Sequence, residues 1–161
     1  MNISISCRVA SKADLPEILH LYSQPDMDDG NVLSLSQAEV IFERMEHYPN
    51  YKLFVAVCEN GIVGTFALLI MDNLGHMGAP SAIIEDVVVD PVYQGHGVGK
   101  TMMEYAFDLA RKEGCYKAML SSNLNRHRSH VFYESLGFER HGYSFHLLAQ
   151  PSNPPDGSQR R

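Results

Sequence analysis

The stretch IIEDVVVDPVYQGHGVGK, residues 83–100, combines an apolar run, a glycine-rich loop and the start of an amphipathic helix. The apolar run over residues 81–90 predicts a strand that Pro91 closes. Beyond the loop, apolar residues recur at helical spacing on one face, and Gly114 marks the predicted helix end. The sequence therefore predicts a strand, a glycine loop and a helix in direct succession.

Three alternating glycines within residues 95–99 stand before Lys-Thr, which looks like a phosphate-binding loop. A Walker loop requires glycine where Gln94 stands, and a dinucleotide-binding fingerprint requires glycine where Lys100 stands, so both classes are excluded. Glycines still let the main chain approach an anion, and a helix N-terminus adds about half a positive charge. We therefore expect main-chain amides between Gln94 and Lys100 to bind a diphosphate.

The remaining strand signals predict a mixed sheet. Alternating apolar residues predict a first strand over residues 3–9, and Asn60-Gly61 predicts a hairpin between two strand-like runs. Further strands are predicted within residues 116–122 and over residues 143–148. Together with the helices, the predicted order is strand, helix, helix, three strands, helix, strand, helix, strand. This order indicates an α/β domain with helices on the faces of one mixed sheet.

Three further helices are predicted from capping signals and glycine stops. Asp14 with Glu17 resembles a capping box that opens a helix over LPEILHLY, residues 15–22. Ser36 with Glu39 repeats the pattern before QAEVIFERMEHY. A last helix is predicted over HRSHVFYES, residues 127–135, where Gly137 stops it.

The 161-residue chain has the composition of one globular domain, predicted over residues 1–149, with a polar, proline-rich and disordered tail over residues 150–161. Its formal charge of −6, without a basic block, argues against nucleic acid or anionic membrane as a partner and mildly favours cationic substrates. No signal pattern or long apolar run is present, so we expect a soluble, cytoplasmic protein. The cysteines are widely separated and predicted to be reduced: Cys7, Cys58 and Cys115.

The spacing Q/R-x-x-G-x-G/A, found here in residues 94–99, resembles the acyl-CoA loop of the GNAT superfamily of N-acetyltransferases. The resemblance is strongest over residues 81–138, which include GCYKAML and FYESLGF; the earlier residues agree in element order only. IEDVVV…YQGHGVGK…GCYK is similar to glucosamine-6-phosphate N-acetyltransferases. LSSNLNRHRSHVFYESLGF is similar to aminoalkylphosphonate N-acetyltransferases.

The resemblance implies the GNAT acyl-CoA N-acyltransferase fold, with a central, mostly antiparallel sheet flanked by helices. It also implies acetyl-CoA as cosubstrate and transfer of the acetyl group to a primary amine of a small molecule, by direct attack in a ternary complex. A homodimer is a further expectation from the family.

Site residues follow from the same resemblance. The strand before the loop carries a bulge in the family and splays from its neighbour, so backbone groups of Val87 and Val89 would bind the pantetheine arm. Tyr133 would protonate the departing thiolate. Ser129 stands where the family commonly has alanine, a change that should fit sterically. The residues expected to bind the coenzyme are Val87, Val88, Val89, Gln94, Gly95, His96, Gly97, Val98, Gly99, Lys100, Asn123, Arg126, Ser129 and Tyr133.

The acceptor amine must lose a proton, which at pH 7.4 costs about 4 kcal/mol for an alkyl ammonium. Glu85 and Asp86 interrupt the apolar strand, and adjacent strand residues face opposite sides of a sheet. We expect Glu85 to be the general base, directly or through a water, with Asp86 as the alternative because a bulge would exchange their directions. Either carboxylate could instead be buried and paired structurally.

Other charged residues leave alternatives open. Asp26, Asp28 and Asp29 could attract a cationic substrate or form a solvated acidic loop. Residues 126–128, Arg-His-Arg, could bind an acidic group of the substrate or the 3′-phosphate of the coenzyme.

Two rival functions and a metal role are weighed at this stage. His127 and His130 share a helical face, but no third ligand lies nearby in sequence, so no metal is expected. The same fold could acetylate a protein amine. A module that binds acyl-CoA without catalysis is the alternative from another class.

Overall fold

The computed structural model describes residues 3–25 and 27–147, without the side chain of Asp28. The described chain forms two compact units, the first ending at Leu120 and the second beginning at Ser121. The described elements are β1 (Ser6–Val9), α1 (Leu15–Tyr22), α2 (Leu35–Glu46), β2 (Tyr51–Cys58), β3 (Gly61–Met71), β4 (Ser81–Val89), α3 (Val98–Lys112), β5 (Lys117–Leu120) and α4 (His127–Ser135).

The five strands of the first unit form one sheet in the order β1-β2-β3-β4-β5. The first three pairings are antiparallel and the β4–β5 pairing is parallel, which confirms the mixed, mostly antiparallel sheet. The hairpin predicted at Asn60-Gly61 joins β2 to β3. The first strand is shorter than predicted, since it begins at Ser6 rather than at residue 3.

Helices cover both faces of this sheet. The face covered by α1 and α2 holds an apolar cluster of Leu15, Ile18, Leu21, Ala38, Phe42, Leu53, Val55, Ala67 and Val88, with Ala10 and Ile62. Phe54, next to Leu53, points to the opposite face and contacts Tyr105 of α3, with ring centroids 5.7 Å apart. Gly64 permits the close approach of α3, because a Cβ there would lie 2.6 Å from Met102 Sδ. The sheet that carries this strand–loop–helix stretch is thus packed against helices on both of its faces.

The capping box predicted at the start of α1 is wrong. The carboxylate of Asp14 accepts hydrogen bonds from the Arg8 guanidinium at 2.7 and 2.8 Å and from the Ser11 amide at 2.7 Å. Glu17 accepts from the amide of Ile62, 45 residues away in sequence, at 3.0 Å. Both side chains have partners from other elements, which a local capping pattern does not reveal.

The start of α2 also differs from the prediction. Ser34, rather than Ser36, is the capping residue: its hydroxyl accepts from the Gln37 amide, and Gln37 Oε1 accepts from the Ser34 amide at 3.1 Å. The helix therefore begins at Leu35, two residues before the predicted start at Gln37. A capping box has glutamine or glutamate at its last position, so Ser34 with Gln37 and Ser36 with Glu39 both match the motif.

In the second unit, α4 occupies the predicted residues 127–135. The strand predicted over residues 143–148 is wrong for its described part, because residues 143–147 form no strand. The alternating apolar side chains are 88–94% exposed, so no described residue covers the face that they would form: Tyr143, Phe145 and Leu147. Such a pattern forms a strand only where a neighbouring strand supplies hydrogen bonds and a covered face. Leu148 and the predicted tail lie outside the described residues.

Two further properties bear on the class of protein. None of the helices in the described part of the chain has the length and apolar character needed to traverse a bilayer. All three cysteines are free thiols, as predicted; Cys58 is buried, and the other two are half-buried.

Candidate active site

A β-bulge interrupts the pairing of β3 with β4. Thr65 lies opposite Val88 and Ala67 lies opposite Glu85, so two steps along β3 face three steps along β4. The additional residue falls at Asp86, whose φ of +51° is unusual for a residue other than glycine. The bulge that the family resemblance implies is therefore present in this strand.

Beyond the bulge, β4 has an edge that no other strand of the sheet covers. The parallel pairing with β5 extends no further than Ile84. Asp90 donates its amide hydrogen to the Val63 carbonyl at 3.0 Å, which puts Val89 at a non-hydrogen-bonded position of the ladder. The N–H and C=O of Val89 consequently point away from β3, towards the uncovered edge. They can bind a ligand that carries amide groups.

The other two valines differ in their surroundings. Val88 is 5% exposed and belongs to the apolar cluster under α1 and α2. Since backbone directions alternate along a ladder, the N–H and C=O of Val88 face β3 rather than the uncovered edge. Val87 directly follows the bulge and is half-buried. Of the three valines that end β4, Val88 has mainly a packing role.

The glycine loop presents unpaired main-chain donors. Gly95 and Gly97 have φ values of +80° and +88°, and a Cβ at either position would meet nothing within 4 Å. Gly97 is the residue before α3, and no described side chain caps the helix there. The amides of residues 98–100 have no acceptor within the helix, because a first turn lacks one. This arrangement fits a phosphate group, which helix N-termini bind through their amides and dipole.

Side chains of the loop mostly stabilise the loop itself. The Gln94 side-chain amide donates to the Val89 carbonyl at 3.3 Å, and His96 Nδ1 lies 3.0 Å from the Gln94 carbonyl. Lys100 Nζ is 3.8 Å from Glu104 in an exposed pair on α3. The candidate donors to a phosphate are thus main-chain amides, with Lys100 nearby in the first helical turn.

The side chain of Glu85 is exposed and makes no hydrogen bond or ion pair with any described residue. It lies opposite Ala67, which places it on the sheet face that α1 and α2 cover. Partial burial and the neighbouring Asp86 carboxylate raise the pKa of Glu85. It is therefore not a buried, structurally paired carboxylate, and it holds a proton more readily than an ordinary glutamate.

Asp86 influences two phenols of this face through its charge. Burial, and then the Asp86 carboxylate, raise the pKa of Tyr22 on α1, which a hydrogen bond to Thr65 opposes. Burial, Asp86 and Glu85, in that order, raise the pKa of Tyr51 on β2. The charge of Asp86 therefore affects the same face of the sheet on which Glu85 lies.

Tyr22 and Tyr51 are candidate site residues that the sequence did not indicate. Both have apolar residues around them, and an aromatic residue in such a position indicates the core. They are brought to β4 by the packing of α1 and by the order of strands in the sheet. No local signal could have identified them.

The second unit holds the remaining residues predicted to bind the coenzyme. The Asn123 carbonyl accepts from the Arg126 amide at 3.0 Å and lies 2.9 Å from His130 Nε2, while its side chain accepts from the Asn125 amide at 2.9 Å. Arg126 precedes α4 and Ser129 is half-buried within it. Asn123 is thus occupied in shaping the start of this helix.

Tyr133 lies on α4 between two phenylalanine rings. Its ring centroid is 5.2 Å from that of Phe132 and 5.5 Å from that of Phe138. Burial raises the pKa of Tyr133, an effect that the Arg126 guanidinium opposes. The phenol therefore stays protonated near neutral pH and can donate a hydrogen bond.

Two other predicted groups are placed as follows. The His127 and His130 rings are 6.0 Å apart, and the described residues contain no group of three or more His, Cys, Asp or Glu that could hold a metal. Asp29 is exposed with φ +55°, whereas Asp26 and the side chain of Asp28 lie outside the described parts.

Comparisons with known proteins agree with this geometry. The family model described as Acetyltransferase (GNAT) family matches residues 15–138. A glucosamine 6-phosphate N-acetyltransferase of Trypanosoma brucei brucei is 31% identical over 147 residues, which are 86% of this chain and 92% of the relative. An aminoalkylphosphonate N-acetyltransferase of Salmonella typhimurium is 29% identical over 97 residues, 60% of this chain and 62% of the relative.

The same fold occurs in a solved glucosamine-6-phosphate N-acetyltransferase structure from Arabidopsis thaliana. Its TM-score is 0.79 at 23% identity, and the match covers 91% of this chain and 99% of that one. At this identity the likeness shows the fold alone. The family model and the Trypanosoma relative, in contrast, cover most of the chain, which confirms the resemblance inferred from residues 81–138. The chain belongs to the GNAT family of acetyltransferases and is an N-acetyltransferase.

Proposed function

We propose that the chain transfers the acetyl group of acetyl-CoA to a primary amine of a small molecule, by direct attack in a ternary complex. One observation carries the proposal: the uncovered edge of β4 leads, within the same unit, to the uncapped N-terminus of α3. Amide-binding and phosphate-binding groups thus follow one another along residues 87–100. A molecule with a diphosphate and a peptide-like arm fits this succession.

When bound, the coenzyme supplies the acetyl group as a thioester. The backbone of Val89 would hold an amide of the pantetheine arm, and amides of residues 97–100 would hold the diphosphate. An amide hydrogen of Val87, next to the bulge, would polarise the acetyl carbonyl. Residues 126–128, Arg-His-Arg, would bind the 3′-phosphate, or an acidic group of the substrate instead.

Glu85 is the proposed general base. Deprotonating an alkyl ammonium at neutral pH costs about 4 kcal/mol, and a nearby carboxylate lowers this cost, directly or through a water. The raised pKa of Glu85 brings it closer to that of the amine, which makes the proton transfer less unfavourable. Residues 85–89 and 126–135 contain no cysteine, so the amine is expected to attack the thioester directly.

Tyr133 is the proposed proton donor to the departing thiolate. An ordinary phenol has a higher pKa than an ordinary thiol, so this proton transfer is uphill by about 2 kcal/mol. Burial raises the pKa of Tyr133 and so increases the difference. The phenol would therefore hydrogen-bond the sulfur first and release its proton late. Its role depends on staying protonated while the amine reacts.

The two relatives described above support a small acceptor. Their names specify glucosamine 6-phosphate and aminoalkylphosphonates, both of which join a primary amine to an anionic phosphorus group. We extend that substrate class to this chain. A cytoplasmic location, which suits three free thiols, and a homodimer are further parts of the proposal.

The test is acetyl-CoA-dependent thiol release with a panel of glucosamine 6-phosphate, aminoalkylphosphonates, polyamines, amino acids and a lysine-rich protein. We expect turnover with one small-amine class that greatly exceeds turnover with the protein. Turnover with the protein alone would assign a protein acceptor, and no release with any amine would contradict the proposal. Light scattering of the purified chain measures whether it is a dimer.

A glycine pair tests the coenzyme site itself. Gly97→Ala should weaken coenzyme A binding, because an alanine is strained at a φ of +88° and the first amides of α3 must shift. Gly78→Ala is the matched control, with a φ of +81° and open space in the β3–β4 loop. Equal loss of binding in both variants would argue against the glycine loop as the diphosphate site.

A further inference from the structure

Two glutamine side chains donate to one backbone carbonyl at the uncovered edge of β4. Gln24 Nε2 is 3.2 Å from the Val89 carbonyl oxygen, and Gln94 Nε2 is 3.3 Å from the same atom. A carbonyl oxygen has two lone pairs, so these two donors fill its hydrogen-bonding capacity. A ligand amide that needs this oxygen must therefore displace one of the two glutamines.

The two glutamines differ in what they connect. Gln94 lies five residues beyond Val89, so its hydrogen bond stays within the strand end and the glycine loop. Gln24 lies 65 residues away in sequence and follows α1. It belongs to the α1–α2 segment, residues 23–34, whose described parts exclude Asp26 and the side chain of Asp28. The Gln24 bond therefore ties this segment to the edge of β4.

The backbone of Gln24 is itself anchored in the segment. Its carbonyl accepts from the Met27 amide at 2.9 Å, and the Met27 carbonyl accepts from the Gly30 amide at 2.8 Å. The Met27 side chain packs against the apolar cluster under α1 and α2. A cavity of about 240 Å³ lies beside Gln24, lined also by Asp90 and Pro91 at the end of β4. The side chain therefore has room to leave Val89.

We propose that Gln24 is a positioning residue that holds the α1–α2 segment against β4 until a pantetheine amide of the coenzyme takes its place on the Val89 carbonyl. The inference rests on the proposed function. Coenzyme binding and attachment of the segment then compete for one acceptor. Because such coupling is reciprocal, loss of the Gln24 bond must strengthen coenzyme binding.

The experiment measures the dissociation constant of coenzyme A by titration calorimetry for the wild type, Gln24→Ala and Gln24→Glu. Gln24→Glu keeps the size of the side chain but cannot donate to the carbonyl. Both variants should bind coenzyme A about two- to tenfold more tightly, the range expected for one net hydrogen bond. Ser23→Ala is the control, since its hydroxyl donates to the His20 carbonyl and not to Val89.

A second readout follows the segment directly. Hydrogen exchange of the amides over residues 27–34 should accelerate when coenzyme A binds to the wild type, and should already be fast in Gln24→Ala without it. A merely structural glutamine would weaken binding when removed, whereas the proposal requires tighter binding.

Each outcome is decisive. Unchanged or weaker binding in both Gln24 variants overturns the inference while leaving the proposed function intact. Tighter binding in Gln94→Ala but not in Gln24→Ala assigns the displacement to the loop glutamine and also overturns it. Absence of coenzyme A binding in the wild type would instead contradict the proposed function.

Discussion

Asp14 and Glu85 are two carboxylates of the same unit with opposite surroundings. Asp14 is 7% exposed and accepts from the Arg8 guanidinium and from the amide and hydroxyl of Ser11. These hydrogen bonds hold the pKa of Asp14 well below its usual range, with the Arg8 guanidinium as the largest cause. Glu85 is exposed on a bulged strand, has no described partner, and has a raised pKa.

The contrast separates a structural from a chemical use of the same functional group. Hydrogen bonds to a carboxylate favour its charged form, so Asp14 loses its proton at a lower pH than usual. It stabilises the fold only while it is charged. An unpaired carboxylate beside a second negative charge retains affinity for a proton, which suits a group that exchanges one with a substrate. Amide substitutions at these positions should therefore have different consequences.

The largest expected effect is that of Glu85→Gln on turnover. The variant should lower the rate of thiol release by about 10²- to 10³-fold where the amine is protonated, because its base is gone. The deficit should shrink as the pH approaches the pKa of the amine, since neutral amine then becomes abundant. Glu43→Gln on α2, an exposed glutamate paired with Lys12, is the control and should leave the rate unchanged. A deficit that is flat across pH would remove Glu85 from this role.

Asp14→Asn should act on stability instead. The substitution leaves the Arg8 guanidinium without its bidentate acceptor beside a nearly buried amide, and should lower the free energy of unfolding by about 1–3 kcal/mol. Urea denaturation of the variant and of the wild type measures the difference. Coenzyme A affinity at a temperature where both are folded should be equal. A loss of affinity without a loss of stability would erase the contrast between the two carboxylates.

The pH dependence of stability sharpens the same point. Because the pKa of folded Asp14 is depressed, its contribution is fully present above the unfolded pKa of about 3.9 and is lost as the pH falls through the folded value. The stability difference between wild type and Asp14→Asn should therefore be constant near neutrality and shrink below about pH 4. Urea midpoints over an acid pH series provide the measurement. A difference that persists unchanged into strong acid would contradict the assigned cause.

The smallest expected effect is that of Asp86→Asn on the pH profile. Burial and then the Asp86 carboxylate raise the pKa of Glu85, so removing this negative charge should lower it. The acid limb of kcat/KM should move to lower pH by less than about one unit. Asparagine tolerates the positive φ of this position, so the bulge should persist. A shift to higher pH would show that the two carboxylates do not interact as described.

Much of the fold followed from local patterns. The Asn60-Gly61 hairpin, the strand ended by Pro91 and the amphipathic helix α3 were predicted from turn chemistry and periodicity, and each is present. The predictions that were wrong share a cause, which is that each pattern was judged without its neighbours in the fold. The side chains of Asp14 and Glu17 matched a capping motif but bond to Arg8 and to Ile62, and residues 143–147 alternate without a strand beside them.

The candidate site likewise contains residues that local sequence indicates and residues that it does not. The glycine loop could be recognised because its backbone requirement is written in consecutive glycines. Tyr22, Tyr51 and Gln24 could not, because their relevant neighbours lie on β4, tens of residues away. Which of Glu85 and Asp86 faces the site was also undetermined, since alternation along a strand holds only until a bulge reverses it.

The sequence by itself determined the succession of strand, glycine loop and helix, and with it the family. Spacing along the chain decides these features, since hydrogen bonds within a turn or a helix join near neighbours. The tertiary structure alone decided that β5 leaves β4 at Ile84, that a bulge forms at Asp86, and that Gln24 meets Val89. Such contacts depend on which distant segments pack together, and this is set by burial of the whole core rather than by any local pattern.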